Sequence, residues 1–186
     1  MINGLCIIRP THDDMESAYN VFEESITDAF EKEGLGYLNV DIAREIEYKK
    51  DLLKFSLENT DSNITFLTAK ISDSVIATIS FGPCGAEIKE CTNNQLDSIG
   101  ELGSLYVLPN YQGKGVGSAL INAMVDYLHI LGVEQFCLDS GNKRAQKRWL
   151  RKFGEPYKVV KDYWGKNGGH MVWLCKVVDY IDGTVK

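Results

Sequence analysis

Residues 101–120, ELGSLYVLPNYQGKGVGSAL, constrain this chain more than any other stretch. An apolar strand runs into a proline, then a glycine-rich turn, then a strongly amphipathic helix. Gly113, Gly115 and Gly117 lack a Cβ, so the backbone can come close to a ligand and adopt unusual φ/ψ. Such a turn presents free backbone N–H groups at the positive end of the following helix. That combination suits an anion, above all a phosphate. The chain is therefore expected to be an α/β protein that holds a phosphate-bearing molecule.

Composition narrows the class. A length of 186 residues fits one domain with a sizeable core. Forty-four per cent hydrophobic and 25% charged residues, with four prolines, are ordinary for a soluble globular chain. No apolar run approaches the roughly 20 residues that span a bilayer, which argues against a membrane partner. Residues 1–10 lack the charged start and cleavage site of a signal peptide. Cys6, Cys84, Cys91, Cys137 and Cys175 are scattered, odd in number and without a Cys-x-x-Cys pair. They point to a reducing cytoplasm and away from a disulfide framework or a zinc site. His12, His129 and His170 share no ligand spacing, so no metal is expected. A net charge of −6 argues against nucleic acid as a partner.

Periodicity places the elements. Residues 5–9 read as a short strand. Thr11 and Asp14 form a capping pair that opens a helix to about residue 31, with Met15, Ala18, Tyr19, Phe22, Ile26, Ala29 and Phe30 on one face. A second helix is expected over 41–59, with Ile42, Ile46, Leu53 and Leu57 inward. Segments 65–71 and 75–82 read as a hairpin around Ser72-Asp73-Ser74. Segment 83–98 is polar and reads as a loop, followed by a strand over 99–107. Val116, Ala119, Leu120, Ala123, Met124, Tyr127, Leu128 and Leu131 stripe a helix over 115–131. A strand over 135–139, a helix over 143–153 and a hairpin over 157–175 turning at Asn167-Gly168-Gly169 complete the chain. The order is β-α-α-β-β-β-α-β-α-β-β, a mixed α/β sheet.

Several readings of the glycine turn compete. A nucleoside-triphosphate P-loop fails, because Gly113-Lys114 is followed by Gly115 rather than Ser or Thr. A dinucleotide fingerprint would put Leu120 where its third glycine belongs, and its glycines should follow the strand directly. Asp139 near the expected ribose position keeps that reading open. A turn without any ligand is the plain alternative. The third functional reading is a family likeness. Gln112-x-x-Gly115-x-Gly117, preceded by Leu105-Tyr106-Val107 and Pro109, resembles the acetyl-CoA signature of the GNAT N-acetyltransferases. The likeness covers most of the chain as a single domain over 1–186 and implies the GNAT-like acyl-CoA N-acyltransferase fold.

That resemblance implies a set of roles. Backbone N–H groups of Gln112, Gly113, Lys114, Gly115, Val116, Gly117 and Ser118 would hold the CoA pyrophosphate. The main chain of Leu105, Tyr106 and Val107 would pair with the pantetheine arm, and an N–H there would stabilise the negative charge developing on the thioester oxygen. Asn142 stands where GNAT proteins often place a pantetheine-contacting asparagine; it can also cap the following helix. Glu101 stands where some members carry a glutamate that takes the amine's proton through water, and equally reads as a solvated strand-end carboxylate. The tyrosine that often protonates the leaving thiolate is replaced by Trp149 or Leu150, depending on register. Tyr106, Tyr157 and Tyr163 are substitutes. The implied activity is acetyl transfer from acetyl-CoA to a primary amine of a small molecule, by direct attack in a ternary complex, in a chain that admits a homodimer. A catalytically silent acyl-CoA-binding regulatory module is the rival.

Charge supplies two further hints. Lys143, Arg144, Lys147, Arg148, Arg151 and Lys152 crowd one short helix that carries no carboxylate. Their i,i+4 repulsions, roughly 0.2–0.5 kcal/mol each, would be relieved by an anion such as a CoA 3′-phosphate, or by acidic neighbours in the fold. Glu24, Asp28, Glu31 and Glu33 would suit a cationic acceptor, with Tyr37 or Tyr163-Trp164 as walls; they also read as solubilising residues. His129, beside an apolar stripe, reads as structural.

Overall fold

A computed structural model describes residues 2–59 and 61–181. Seven strands form one mixed sheet in the order β1-β2-β3-β4-β5-β7-β6. The chain divides into two compact units, Met1–Phe81 with Ser104–Met124, and Gly82–Gly103 with Val125–Lys186.

The first unit contains β1 (Leu5–Ile8), α1 (Met15–Lys32), α2 (Asn39–Glu58), β2 (Thr65–Ile71) and most of β3 (Ser74–Gly82). Strand β1 pairs antiparallel with β2, and β2 with β3 across the tight turn Ser72-Asp73. The capping pair forms: the Asp14 carboxylate accepts the Thr11 backbone N–H at 2.8 Å and its hydroxyl at 3.1 Å. Asp14 also meets Lys70 Nζ at 2.5 Å. Burial pushes the Asp14 carboxyl up, but the hydrogen bonds from Lys70 and Thr11 outweigh it and hold the group below the usual carboxylate range. Ala18, Val21, Phe22 and Ile26 of α1 bury against Ile42 and Leu53 of α2, with Phe66 and Val75 from the sheet. Both faces of β3 are covered from Val75 to Ser80, so its residues are buried without alternation.

The second unit contains α3 (Ala86–Cys91), the start of β4 (Glu101–Val107), the end of α4 (Val116–Ile130), β5 (Gln135–Ser140), α5 (Lys143–Phe153), β6 (Lys158–Val160) and β7 (His170–Lys176). Strand β5 pairs antiparallel with β7 along its whole length, and β7 with β6. With β4 it pairs in parallel at one register point, Glu101 with Cys137. Phe136, Leu138, Trp173 and Phe153 fill the core here, and the Trp173 indole donates to Gly154 O at 2.9 Å where α5 ends.

Three expectations fail. Segment 83–98 is not simply a loop: α3 forms there because Cys84, Ile88, Cys91 and Leu96 bury against Cys137 and Val172. These apolar positions are sparse among polar neighbours, so the segment reads as polar although one face is core. The last hairpin is not tight: nine residues separate β6 from β7, and Asn167-Gly168-Gly169 is only the end of that connection. Leu131 lies outside α4 and is exposed, so it does not belong to the buried stripe, and His129, read as a structural residue beside that stripe, is exposed.

Candidate coenzyme and acyl-transfer site

The residues singled out in the sequence fall into two sets, one in each unit. In the first, β4 ends at Val107, a single turn Pro109–Tyr111 follows, and α4 begins at Val116. Gly113 and Gly115 take φ of 72° and 85°, the left-handed region where side chains are strained. An ideal Cβ at either would meet nothing within 4 Å, so the turn is an open cradle at the head of a 15-residue helix. At Gly117 a Cβ would sit 3.7 Å from Val107, which lets the helix begin close against the strand. Gln112 anchors the turn: its amide nitrogen donates to Val107 O at 3.0 Å and to Asp28 at 3.3 Å, while its oxygen accepts from Lys32 at 3.2 Å. Lys114 lies 5.5 Å from the Tyr111 ring centroid and stays beside the cradle. The exposed residues Gly113, Lys114 and Gly115, the positive φ and the helix dipole together fit a diphosphate.

Leu105, Tyr106 and Val107 are half-buried. The Tyr106 side chain is structural: its ring meets Phe22 edge-on at 5.8 Å and its hydroxyl donates to Glu45 at 3.0 Å. Ser104, just before them, was not singled out in the sequence. It takes φ of 47° inside β4, a conformation rare for a non-glycine residue, and bends the strand ahead of Leu105. Its carbonyl accepts from Thr78 at 2.8 Å, whereas its buried hydroxyl has no partner. Gly103 beside it, a glycine within a strand pattern, was the available signal.

In the second unit Glu101 is not a carboxylate surrounded by solvent. One oxygen accepts the Gly85 backbone N–H at 2.7 Å, at the entry to α3, and a Cβ at Gly85 would lie 2.6 Å from it. Burial raises the nearby Cys84 and Cys137 thiols, and the Glu101 charge adds to it. Asn142 is the cap of α5, its side-chain oxygen accepting from Ala145 N at 2.8 Å. Its backbone N–H is held by Ser140 Oγ at 3.0 Å. Lys143, Arg144, Lys147, Arg148 and Arg151 are exposed, the first two at the positive end of the helix dipole. Trp149 stacks at a tilt on Phe153, 5.7 Å away. The substitute acids are engaged: Tyr157 donates to Gln95 at 3.0 Å and Tyr163 to Glu90 at 2.5 Å. The bond to Glu90 raises the Tyr163 phenol well above its ordinary value. Among the described residues, no group of three or more His, Cys, Asp or Glu side chains could hold a metal ion, and no helix is long and apolar enough to cross a membrane.

Comparison with known proteins gives these features a context. No curated protein matches this sequence. Among solved structures, a protein from Desulfovibrio desulfuricans assigned to the GNAT family superposes with a TM-score of 0.69 at 17% identity, over 93% of this chain and 99% of that one. The PaiA N-acetyltransferase of Thermoplasma acidophilum, solved with coenzyme A, gives 0.64 at 19% identity over 91% and 98%. The ribosomal-protein-S18-alanine N-acetyltransferase of Escherichia coli gives 0.59 at 14% over 93% and 94%. These likenesses establish the fold. The model of the acetyltransferase (GNAT) family matches residues 19–154, which takes in α2, the whole glycine cradle and all of α5. The chain belongs to the GNAT family of acetyl-CoA-dependent N-acetyltransferases.

Proposed function

We propose that this chain moves an acetyl group from acetyl-CoA to the primary amine of a small molecule, by direct attack while both substrates are bound. The observation that carries the reading is the open cradle at Gly113 and Gly115, anchored to the strand end by Gln112. The chain acts as one domain, because β4 and α4 each run from one compact unit into the other. Four of the five free cysteines are buried thiols, which suits the cytoplasm.

Acetyl-CoA supplies an activated thioester whose thiol leaves with a pKa near 8.5, so only modest acid help is needed. The chain's own residues do the rest. Loop N–H groups from Gly113 to Ser118 hold the diphosphate, the Gln112 N–H being donated to Pro109 O at 3.3 Å, and the main chain of Leu105 and Val107 lines up the pantetheine arm. A main-chain N–H near Leu105 or Val107 meets the charge building on the carbonyl oxygen. Asn142 offers its amide nitrogen to the arm while its oxygen caps α5. Glu101 keeps one oxygen on Gly85 and uses the carboxylate as a proton acceptor through water.

A thiol-release assay across a panel of small amines tests this reading. Gly115→Val should reduce CoA affinity more than tenfold and abolish release, with the far-ultraviolet spectrum unchanged. Saturable CoA binding with no turnover on any amine would favour the silent module, for which the engaged state of all three substitute tyrosines speaks. Unchanged affinity in Gly115→Val would remove the cradle from the site.

A further inference from the structure

Asp139 at the end of β5, His170 at the start of β7 and Trp164 in the connection before it form a hydrogen-bonded chain that the reaction above does not use. His170 is 3% exposed. Its Nε2 lies 2.8 Å from Asp139 Oδ2, and its Nδ1 accepts the Trp164 indole N–H at 3.0 Å. An indole nitrogen can only donate. Nδ1 therefore carries no proton, and the single imidazole proton sits on Nε2, donated to the carboxylate. Both ring nitrogens are occupied, so His170 has no proton to exchange with a substrate; what it provides is orientation.

The group it orients is unusual in being both exposed and clamped. Trp164 is 57% exposed. Yet its N–H is bonded, Tyr163 meets its ring at 4.8 Å and 83°, and its Nε1 lies so close over Gly141 that any Cβ there would overlap it. Immobilising a large side chain at the surface sacrifices rotamer entropy, and burying an imidazole beside a carboxylate costs hydration. Neither cost benefits a ring that merely faces solvent. Gly141 immediately precedes Asn142, which puts the clamped indole at the C-terminal end of β5, beside a residue assigned to the pantetheine arm. Charged groups near it are Asp139 of β5, bonded to His170, Glu90 of α3, bonded to Tyr163, and the exposed Lys161, Asp162 and Lys166 of its own connection. An indole face is the best aromatic partner for a cation.

We propose that His170, backed by Asp139, is a positioning residue that fixes Trp164 as a wall selecting amine acceptors with a second positively charged group. This rests on the acetyltransferase reading given above. Two measurements test it. The first needs no substrate: hydrogen exchange of the Trp164 indole N–H by NMR, assigned with Trp164→Phe, should be slow in the wild type and fast in His170→Phe. The second compares kcat/KM for a linear diamine and the monoamine of equal length. The wild type should favour the diamine. Trp164→Leu should cut that preference about tenfold through acceptor KM, leaving kcat and the acetyl-CoA KM in place. His170→Phe should follow it, and His170→Gln, which keeps a donor and an acceptor, should recover part of the loss. Fast indole exchange in the wild type overturns the clamp. A slow indole with an unchanged diamine preference in Trp164→Leu overturns the selecting role alone. If the wild type acetylates no amine, the acetyltransferase reading fails and the selecting role falls with it, while the exchange data still report the clamp. Should His170→Phe not fold, the surface variant Trp164→Leu decides.

Discussion

Ser104 carries conformational strain inside a strand. A left-handed L-residue costs about 1–2 kcal/mol, and an unpartnered buried hydroxyl adds to it. Ser104→Gly should relieve the first and remove the second, partly offset by the greater freedom of glycine in the unfolded chain. A net gain of about 1 kcal/mol would raise the calorimetric midpoint by about 2–4 °C. A fall of that size would mean that the serine hydroxyl stabilises the bend. Asp14 gives the opposite kind of residue effect. Its folded pKa is depressed below the unfolded value near 3.8, so its contribution to stability is present above that value. It is lost as pH falls further through the folded pKa. Urea midpoints should therefore drop between pH 5 and pH 2, and the drop should be smaller in Asp14→Asn. An equal drop in both proteins would assign the acid sensitivity elsewhere.

At the level of elements, α5 shows how one residue can serve two ends. Asn142 caps the helix through its oxygen, and its amide nitrogen is the part assigned to the coenzyme arm. Asn142→Asp keeps the acceptor and places a negative charge where the helix dipole favours it; Asn142→Ala loses the cap at a cost of about 1 kcal/mol. The aspartate variant should melt like the wild type or slightly higher yet show a raised acetyl-CoA KM, whereas the alanine variant should lose about 2–4 °C as well. A wild-type KM in both would leave Asn142 as a cap alone. The cation stripe on the same helix was legible as a physical oddity, since like charges at i,i+4 and at the positive dipole end both oppose helix formation. Helix α3 was not legible. Its Ile88 and Cys91, with the flanking Cys84 and Leu96, are separated by polar and charged residues, and only their shared burial against Cys137 and Val172 makes them a face.

For the whole molecule, coenzyme binding should act on stability by mass action. At one hundred times its Kd, CoA adds about 2.7 kcal/mol, which corresponds to about 7 °C for a chain of this size. A melting point that ignores CoA would contradict the proposed site as directly as an inactive enzyme. The mixed sheet, the two opening helices and the glycine turn could all be anticipated, because hydrophobic period, turn chemistry and glycine placement are local properties that need no partner. The roles of Glu101, Tyr163 and His170 could not. A carboxylate, a phenol and an imidazole take their character from whatever lies within hydrogen-bond reach: here Gly85, Glu90, and the pair Asp139 and Trp164. Those partners lie between 6 and 73 positions away along the chain. Spacing in one dimension thus determined the family and the glycine turn. Proximity in three dimensions decided which side chains are spoken for, because hydrogen bonding and desolvation act over ångströms of space and not along the backbone.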